Sequence, residues 1–375
     1  MQVDVEQFMK DGYLIIRNCI PPALVDPLRV SFEVLVERQK EIWADEAQPG
    51  EPAGGHWATF AQPRLWYDQV VDEATSNTVD FTQHKNTMGV AKQLMDSDEA
   101  ANTCFFLMCS PVEDHGPALW HRDIHPVDQA PLVGLEKDLL QNAPGVVQWN
   151  IGLYDDSVLW VVPGSHRRPN TDAENEQLHK DRTVPLPKSI PVELEAGDGV
   201  VYTNTILHWG SNYSSKLRRT IHIGHRAFGG HVLPYVPHYY WNPDLLDRVS
   251  TAAKTHLGRF IELRDTELDS VTSLFRAMID RDEATFLAEL ARLHPGEHQR
   301  IVAVIQLSKL SYKIHFEPED YGHEGILCFW GECGPVAWLA LVAREKPDRF
   351  ARRAEDAHVS LTAVEGRCRR GAAEN

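Results

Sequence analysis

A mainly β fold with flanking helices is expected from three features: a central series of short apolar runs, turn residues between them, and a change to helical periodicity after about residue 240. The runs occupy residues 104–108, 146–153, 158–162, 199–202 and 220–223. Ala143-Pro144-Gly145, Tyr154-Asp155-Asp156, Pro163-Gly164 and Ala196-Gly197-Asp198 separate them. Short strands at this spacing predict a sandwich or jelly roll rather than a parallel α/β sheet.

Residues 1–40 read as helix, strand, helix. Val5, Phe8 and Met9 precede the stop Asp11-Gly12, and an apolar run of strand type covers 13–16. Val25, Leu28, Phe32 and Leu35 then recur at helical spacing. Pro21, Pro22 and Pro27 crowd the start of that helix, where proline is tolerated only in the first turn. Residues 41–70, with turn signals at Pro49-Gly50 and Gly54-Gly55, read as a loop over a pocket. Gly229-Gly230 reads as a turn. Val271, Leu274, Phe275 and Met278 form a helical stripe that Phe286, Leu287 and Leu290 continue to Pro295-Gly296. Residues 301–314 and 336–350 also read as helical, and 351–375 as loosely ordered. The expected division is a β domain with N-terminal helices over 1–240 and a helical extension, packed on that core, over 241–375.

With 43% hydrophobic and 24% charged residues in 375, the chain has ordinary globular composition and can bury a sizeable core. No apolar run approaches the length of a membrane span. The start, Met1-Gln2-Val3-Asp4-Val5-Glu6, is acidic where a secretory or transit peptide is basic, so a cytoplasmic location is expected. The formal charge of −17 opposes binding to nucleic acid or an anionic membrane. Cys19, Cys104, Cys109, Cys328, Cys333 and Cys368 are widely spread with no C-x-x-C pair, which predicts reduced, buried thiols. A homo-oligomer is left open.

The chemistry centres on Trp120-His121-Arg122-Asp123. In an extended segment His121 and Asp123 share one face and Arg122 takes the other. An imidazole and a carboxylate so placed can grip one metal ion. His208, 87 positions after His121, is the best third ligand, because a turn and strand ending at Tyr202 deliver it to a strand end. Two histidines and one carboxylate leave coordination positions open, the arrangement expected of a non-haem Fe(II) oxygenase. Farther on, Asn212 precedes Arg218-Arg219-Thr220. An arginine offers a planar fork to the distal end of a dicarboxylate. Strand parity puts Arg218, Thr220 and His222 inward and Arg219 outward.

Gly12-Tyr13-Leu14-Ile15-Ile16-Arg17, His121-Arg122-Asp123, residues 159–166 ending in Pro163-Gly164-Ser165-His166, Ala196-Gly197-Asp198 and His208-Trp209-Gly210 with Asn212 and Arg218 follow in an order that resembles phytanoyl-CoA dioxygenase-like proteins. The resemblance covers about residues 5–230 and implies a double-stranded β-helix of the jelly-roll, cupin-like kind. It implies Fe(II), 2-oxoglutarate and O2 as cofactor and co-substrates, His121, Asp123 and His208 as iron ligands, and Arg218 as the 2-oxoglutarate anchor. The family's arginine usually stands about eleven residues after the second histidine, the position of Arg219; alignment on Asn212 and strand parity favour Arg218. Some relatives carry glutamine three residues before the first ligand, where this chain has Ala118. Related halogenases replace the carboxylate with a small residue, so Asp123 favours hydroxylation or another hydrogen-abstracting oxidation of a small-molecule metabolite, with release of succinate and CO2.

Other residues have plainer readings. His166 is expected to be a turn residue, and Trp149 and Trp160 core. His125 reads equally as pocket rim or solvated loop. His222 and His225 read as second-layer or substrate-contacting groups, or as buried, hydrogen-bonded histidines. His294 and His298 have metal-pair spacing, but Pro295-Gly296 breaks the helix such a pair needs. Two rival functions remain at this point: a barrel that binds a small ligand or partner without chemistry, and a zinc hydrolase using the same ligands.

Overall fold

The computed structural model describes residues 2–123, 145–227 and 241–294, together with Arg300 and Val304. The described residues fall into two compact units, with 2–123, 145–227 and 241–260 in the first and 261–294 in the second. His125, the Gly229-Gly230 turn, the expected helices at 301–314 and 336–350, the 351–375 tail and Cys328, Cys333 and Cys368 lie outside the described residues.

The first unit opens with α1 (Val5–Asp11), β1 (Tyr13–Ile16) and α2 (Pro22–Asp45). Asp4 caps α1 by accepting from the Gln7 amide, and Gly12 ends it at φ +83°. The ring of His166 stands where a Gly12 side chain would begin, so glycine is required twice over. Pro22 starts α2, while Pro27 lies inside it, beyond the first turn that sequence rules prefer.

Antiparallel sheets flanked by helices carry the site. One has six strands in the order β1, β8 (Gly199–Thr203), β5 (Val146–Gly152), β11 (Arg219–Ala227), β3 (Ala100–Cys109), β2 (Arg64–Trp66). A second has three: β7 (Ile190–Pro191), β6 (Trp160–Val161) and β9 (His208–Trp209). Gly116–Pro117 (β4) pairs with Ser211–Asn212 (β10). Strand structure occurs in each of the five central apolar runs, although β6 covers only Trp160–Val161 of its run.

Alternation gives the six-stranded sheet two distinct faces. Val147, Trp149, Ile151, Ile221 and Ile223 are fully buried on one. Helix α3 (Met88–Met95) packs against β3, β5 and β11. On the other face Val200 and Tyr202 of β8 meet Val161 of β6 and the nearby Leu159, Val192, Leu194 and Ile206, closing the two sheets on one apolar layer. Gln148, Asn150, Thr220 and His222 also point into this inner face.

Residues 41–70 are more ordered than their composition suggests: α2 runs to Asp45, His56–Thr59 is helical, and β2 joins the sheet edge beside β3. Three alternating residues are too few for a legible strand pattern. Helix α4 (Asp172–Lys180) starts on a capping box between Thr171 and Glu174. The stripes after residue 240 form α5 (Thr251–Asp280) and α6 (Glu283–Leu293). No described helix is long and apolar enough to cross a membrane. Cys19, Cys104 and Cys109 are buried free thiols, and burial pushes the latter two up to about 12.

Candidate metal centre

His121 and His208 sit directly opposite each other. Each donates its backbone N–H to the other's carbonyl at 3.1 Å, an isolated antiparallel bridge. Residues opposed in this way project side chains from the same face, and the ring centroids are 4.4 Å apart. Asp123, two residues on, returns to that face while its amide donates to the Asn204 carbonyl at 2.9 Å. Its Oδ1 lies 3.3 Å from His121 Nε2 and its Oδ2 3.4 Å from His208 Nε2. The three donor atoms fall within 4.8 Å of one another.

The imidazoles are oriented from behind. Nδ1 of His121 meets the Leu119 carbonyl at 2.7 Å and Nδ1 of His208 the Ile206 carbonyl at 3.0 Å. A carbonyl only accepts, so Nδ1 carries the proton and the Nε2 lone pair is turned toward Asp123. Two neutral nitrogens and a carboxylate converging without a hydrogen between them form a donor set complementary to a cation. The charges agree. Burial disfavours protonation of His121, but Asp123 outweighs it and the pKa lies above the ordinary value. Burial takes His208 below its ordinary value. Burial also works against ionised Asp123, yet His208 and His121 hold it well below the usual carboxylate range. Metal–nitrogen and metal–oxygen bonds of about 2.0–2.2 Å let one ion span such separations.

Residues on the opposite face hold this geometry. Trp120 and Trp209, adjacent to His121 and His208, stack with centroids 4.9 Å apart. Arg122, between His121 and Asp123, points away from them, as alternation requires. Its guanidinium donates to the Ser165 carbonyl at 2.7 Å, to the Thr205 carbonyl, to the Arg168 carbonyl at 3.2 Å and to Asn170 Oδ1 at 3.0 Å. The Leu207 amide in turn donates to Ser165 Oγ at 2.8 Å. One arginine thus ties the His121–Asp123 segment to the turn Pro163-Gly164-Ser165-His166 and to the approach to His208. Burial lowers its pKa to about 10, which leaves it charged at neutral pH.

Gln148 Nε2 donates to Asp123 Oδ2. Such an outer partner fixes a ligand carboxylate, and Gln148→Leu is expected to weaken divalent-ion binding by about 10–100-fold. Metal titration by calorimetry, with a thermal melt to show an intact fold, checks this. A legible signal existed for Gln148: it alternates with Val147 and Trp149 in a strand whose apolar residues face the helices. Arg122 had none, because its partners, three carbonyls and the Asn170 side chain, are distant in sequence.

The two arginines divide as parity requires. Arg218 Nε donates to Asp156 Oδ2 at 3.2 Å and Thr220 Oγ1 at 3.1 Å, while Nη2 meets only the Met108 sulfur at 3.5 Å. Its Nη1 has no hydrogen-bond partner among the described residues. Arg219 turns to the other face and pairs with Glu33 at 2.8 Å. His222 Nδ1 and Asn150 Oδ1 are 2.8 Å apart; burial foremost lowers this imidazole to about 3, and Arg64 and Arg218 add to that against the pull of Asp123. His225 lies on the helix side, where its Nδ1 accepts from Trp149 Nε1 at 3.1 Å. His166 is a buried turn residue whose Nε2 meets the Met9 carbonyl at 3.1 Å. Trp160 packs edge-on against Trp209. His294 is buried at the end of α6, and His298 lies outside the described residues.

The phytanoyl-CoA dioxygenase (PhyH) family model matches residues 8–221. No curated protein matches. Solved structures similar to this chain include AviO1 from Streptomyces viridochromogenes, with 22% identity, TM-score 0.41, and 60% of this chain and 96% of that chain covered. They also include EctD from S. alaskensis, solved with 2-oxoglutarate and 5-hydroxyectoine, with 16% identity, TM-score 0.42, and 60% and 74% covered. The epimerase SnoN, in complex with Fe3+, alpha ketoglutarate and nogalamycin RO, is 17% identical with TM-score 0.40, and 60% and 82% of the two chains are covered.

Proposed function

The chain belongs to the phytanoyl-CoA dioxygenase family, and from that premise we propose that it is an Fe(II)- and 2-oxoglutarate-dependent oxygenase acting on a C–H bond of a small-molecule metabolite. The observation that carries this reading is the convergence of His121 Nε2, His208 Nε2 and the Asp123 carboxylate on one point. In this reading the six- and three-stranded sheets are the two walls of a double-stranded β-helix, residues 1–240 form the oxygenase domain, and 241–375 form a helical extension.

Iron held by His121, Asp123 and His208 would supply, with 2-oxoglutarate and O2, the oxidising chemistry at a substrate C–H bond, with succinate and CO2 as co-products. The protein's part is positional. The Leu119 and Ile206 carbonyls keep both imidazoles in the tautomer that ligates, and Gln148 keeps Asp123 turned toward them. Arg218 presents its fork to the distal carboxylate of 2-oxoglutarate while Asp156 and Thr220 hold its Nε. Phe106, Met108 and Tyr202, all buried, keep that face of the sheet dry. The carboxylate at 123 occupies the position that halogenases leave vacant for halide, so hydroxylation is the proposed outcome.

Fe(II)-dependent release of succinate from 2-oxoglutarate tests the reading; protein that binds neither iron nor 2-oxoglutarate under anaerobic conditions refutes it. Arg218→Ala is expected to raise the KM for 2-oxoglutarate by about 10–100-fold, the worth of a charge-assisted, two-pronged contact. Arg218→Lys recovers part of this, because charge remains but the fork does not. Arg219→Ala should leave that KM unchanged, and a larger effect there than at 218 would transfer the anchor to Arg219.

A further inference from the structure

Strand β2 lies at the edge of the six-stranded sheet, and its alternation buries Leu65 completely behind it. Arg64 and Trp66 therefore take the inner face, in register with Met108 and Phe106 of β3. Arg64 leans over the Phe106 ring, with its guanidinium carbon 5.6 Å from the centroid. Phe106 stacks on His222 at 4.6 Å, and His222 is hydrogen-bonded to Asn150. The arginine thus stands at the open edge of the layer that leads inward past Phe106 and His222.

Like Arg122, and unlike several other arginines, Arg64 pairs with no acid among the described residues, and it lacks the set of carbonyl acceptors that Arg122 has. Arg17, Arg38, Arg168, Arg218 and Arg219 are each within salt-bridge distance of a carboxylate. Among the described residues Arg64 has no carboxylate partner, although acids outnumber bases 54 to 37 in the chain. Its one hydrogen bond among those residues runs from Nε to Gln62 Oε1 at 2.9 Å, and the side chain is exposed, so both Nη groups are open to solvent or to a ligand. Such a fork matches a carboxylate or phosphate. Arg218 stands on the far side of Met108, so the inner face presents two guanidinium groups where one dicarboxylate anchor is required.

We propose that Arg64 anchors an anionic group, carboxylate or phosphate, of the primary substrate, whose flat or apolar part lies along Phe106. This assigns the substrate to the organic acids or phosphate esters and rests on the oxygenase reading given above. A carboxylate at Arg64 has two sources, the primary substrate or 2-oxoglutarate itself, and binding measurements separate them.

The experiment is anaerobic calorimetry at low ionic strength on the full chain loaded with Fe(II) and saturating 2-oxoglutarate, using benzoate and phenyl phosphate as anionic probes and benzamide as the neutral one. At least one anion is expected to bind about tenfold or more tightly than benzamide, the worth of one or two charge-assisted hydrogen bonds. In Arg64→Gln this preference should fall to about twofold or less, with the Kd for 2-oxoglutarate unchanged. Arg64→Lys should keep part of the preference. Anions that bind no better than benzamide, or a preference that survives in Arg64→Gln, overturn the proposal. A loss of 2-oxoglutarate affinity in Arg64→Gln equal to the loss of anion preference assigns the arginine to the co-substrate and also overturns it. If the wild-type chain binds neither Fe(II) nor 2-oxoglutarate, the oxygenase reading fails by itself, and the same probe comparison on metal-free protein still decides whether Arg64 holds an anion.

Discussion

Asp123→Ala is expected to abolish Fe(II)-dependent succinate formation and to weaken Fe(II) binding by more than about 100-fold, since the loss of an outer partner alone costs about 10–100-fold. The carboxylate is the only anionic donor of the three and the only one that faces both imidazoles, at 3.3 and 3.4 Å. Without it two neutral nitrogens remain, held on opposed strands by backbone bonds that the substitution does not touch. The fold should therefore survive, with an unaltered circular dichroism spectrum and cooperative melting. Removing Asp123 also removes what raises the His121 pKa, so the variant's His121 should titrate at a lower pH by NMR in metal-free protein. A variant that retains iron and turns over 2-oxoglutarate at the wild-type rate would dismiss Asp123 as a ligand.

Arg122→Met is expected to have the largest effect on stability. Four oxygens lose a donor from one charged group: the carbonyls of Ser165, Thr205 and Arg168 and the side chain of Asn170. At about 1 kcal/mol for each unsatisfied partner, the loss sums to about 4 kcal/mol, a large share of a typical folding free energy. Denaturant titration measures this as a fall in midpoint. A second effect follows from where those oxygens lie. They belong to the turn before α4 and to the approach to His208, so their release loosens the spacing between His121 and His208, and Fe(II) affinity should fall by about 10–100-fold. Arg122→Lys reaches only some of the acceptors and should recover part of both losses. If iron affinity holds while stability falls, Arg122 supports the fold without setting the spacing of the ligands.

Local order could be read directly from the chain. The apolar runs that became β3, β5, β6, β8 and β11, the stop at Gly12 and the helical stripes of α5 and α6 are short-range patterns, which hydrophobic periodicity and turn chemistry express within a few residues. The same alternation separated Arg218 from Arg219 and His121 from Arg122, because a side-chain period of two needs no knowledge of the neighbouring strand. The strand at Arg64–Trp66 escaped notice because three residues hold too little pattern among the glycines and prolines around them.

His121, Asp123 and His208 could be named as a set from residue type, order and family resemblance. Their meeting could not be, because the opposition of His121 to His208 is a register between segments 87 residues apart. Register depends on which backbone groups pair across the fold, and no local sequence term encodes it. The hydrogen bonds of Gln148 and Arg122 likewise depend on partners from other strands and turns. Composition and periodicity determined what kind of elements this chain makes and which way their side chains face; tertiary pairing alone decided which of those side chains meet.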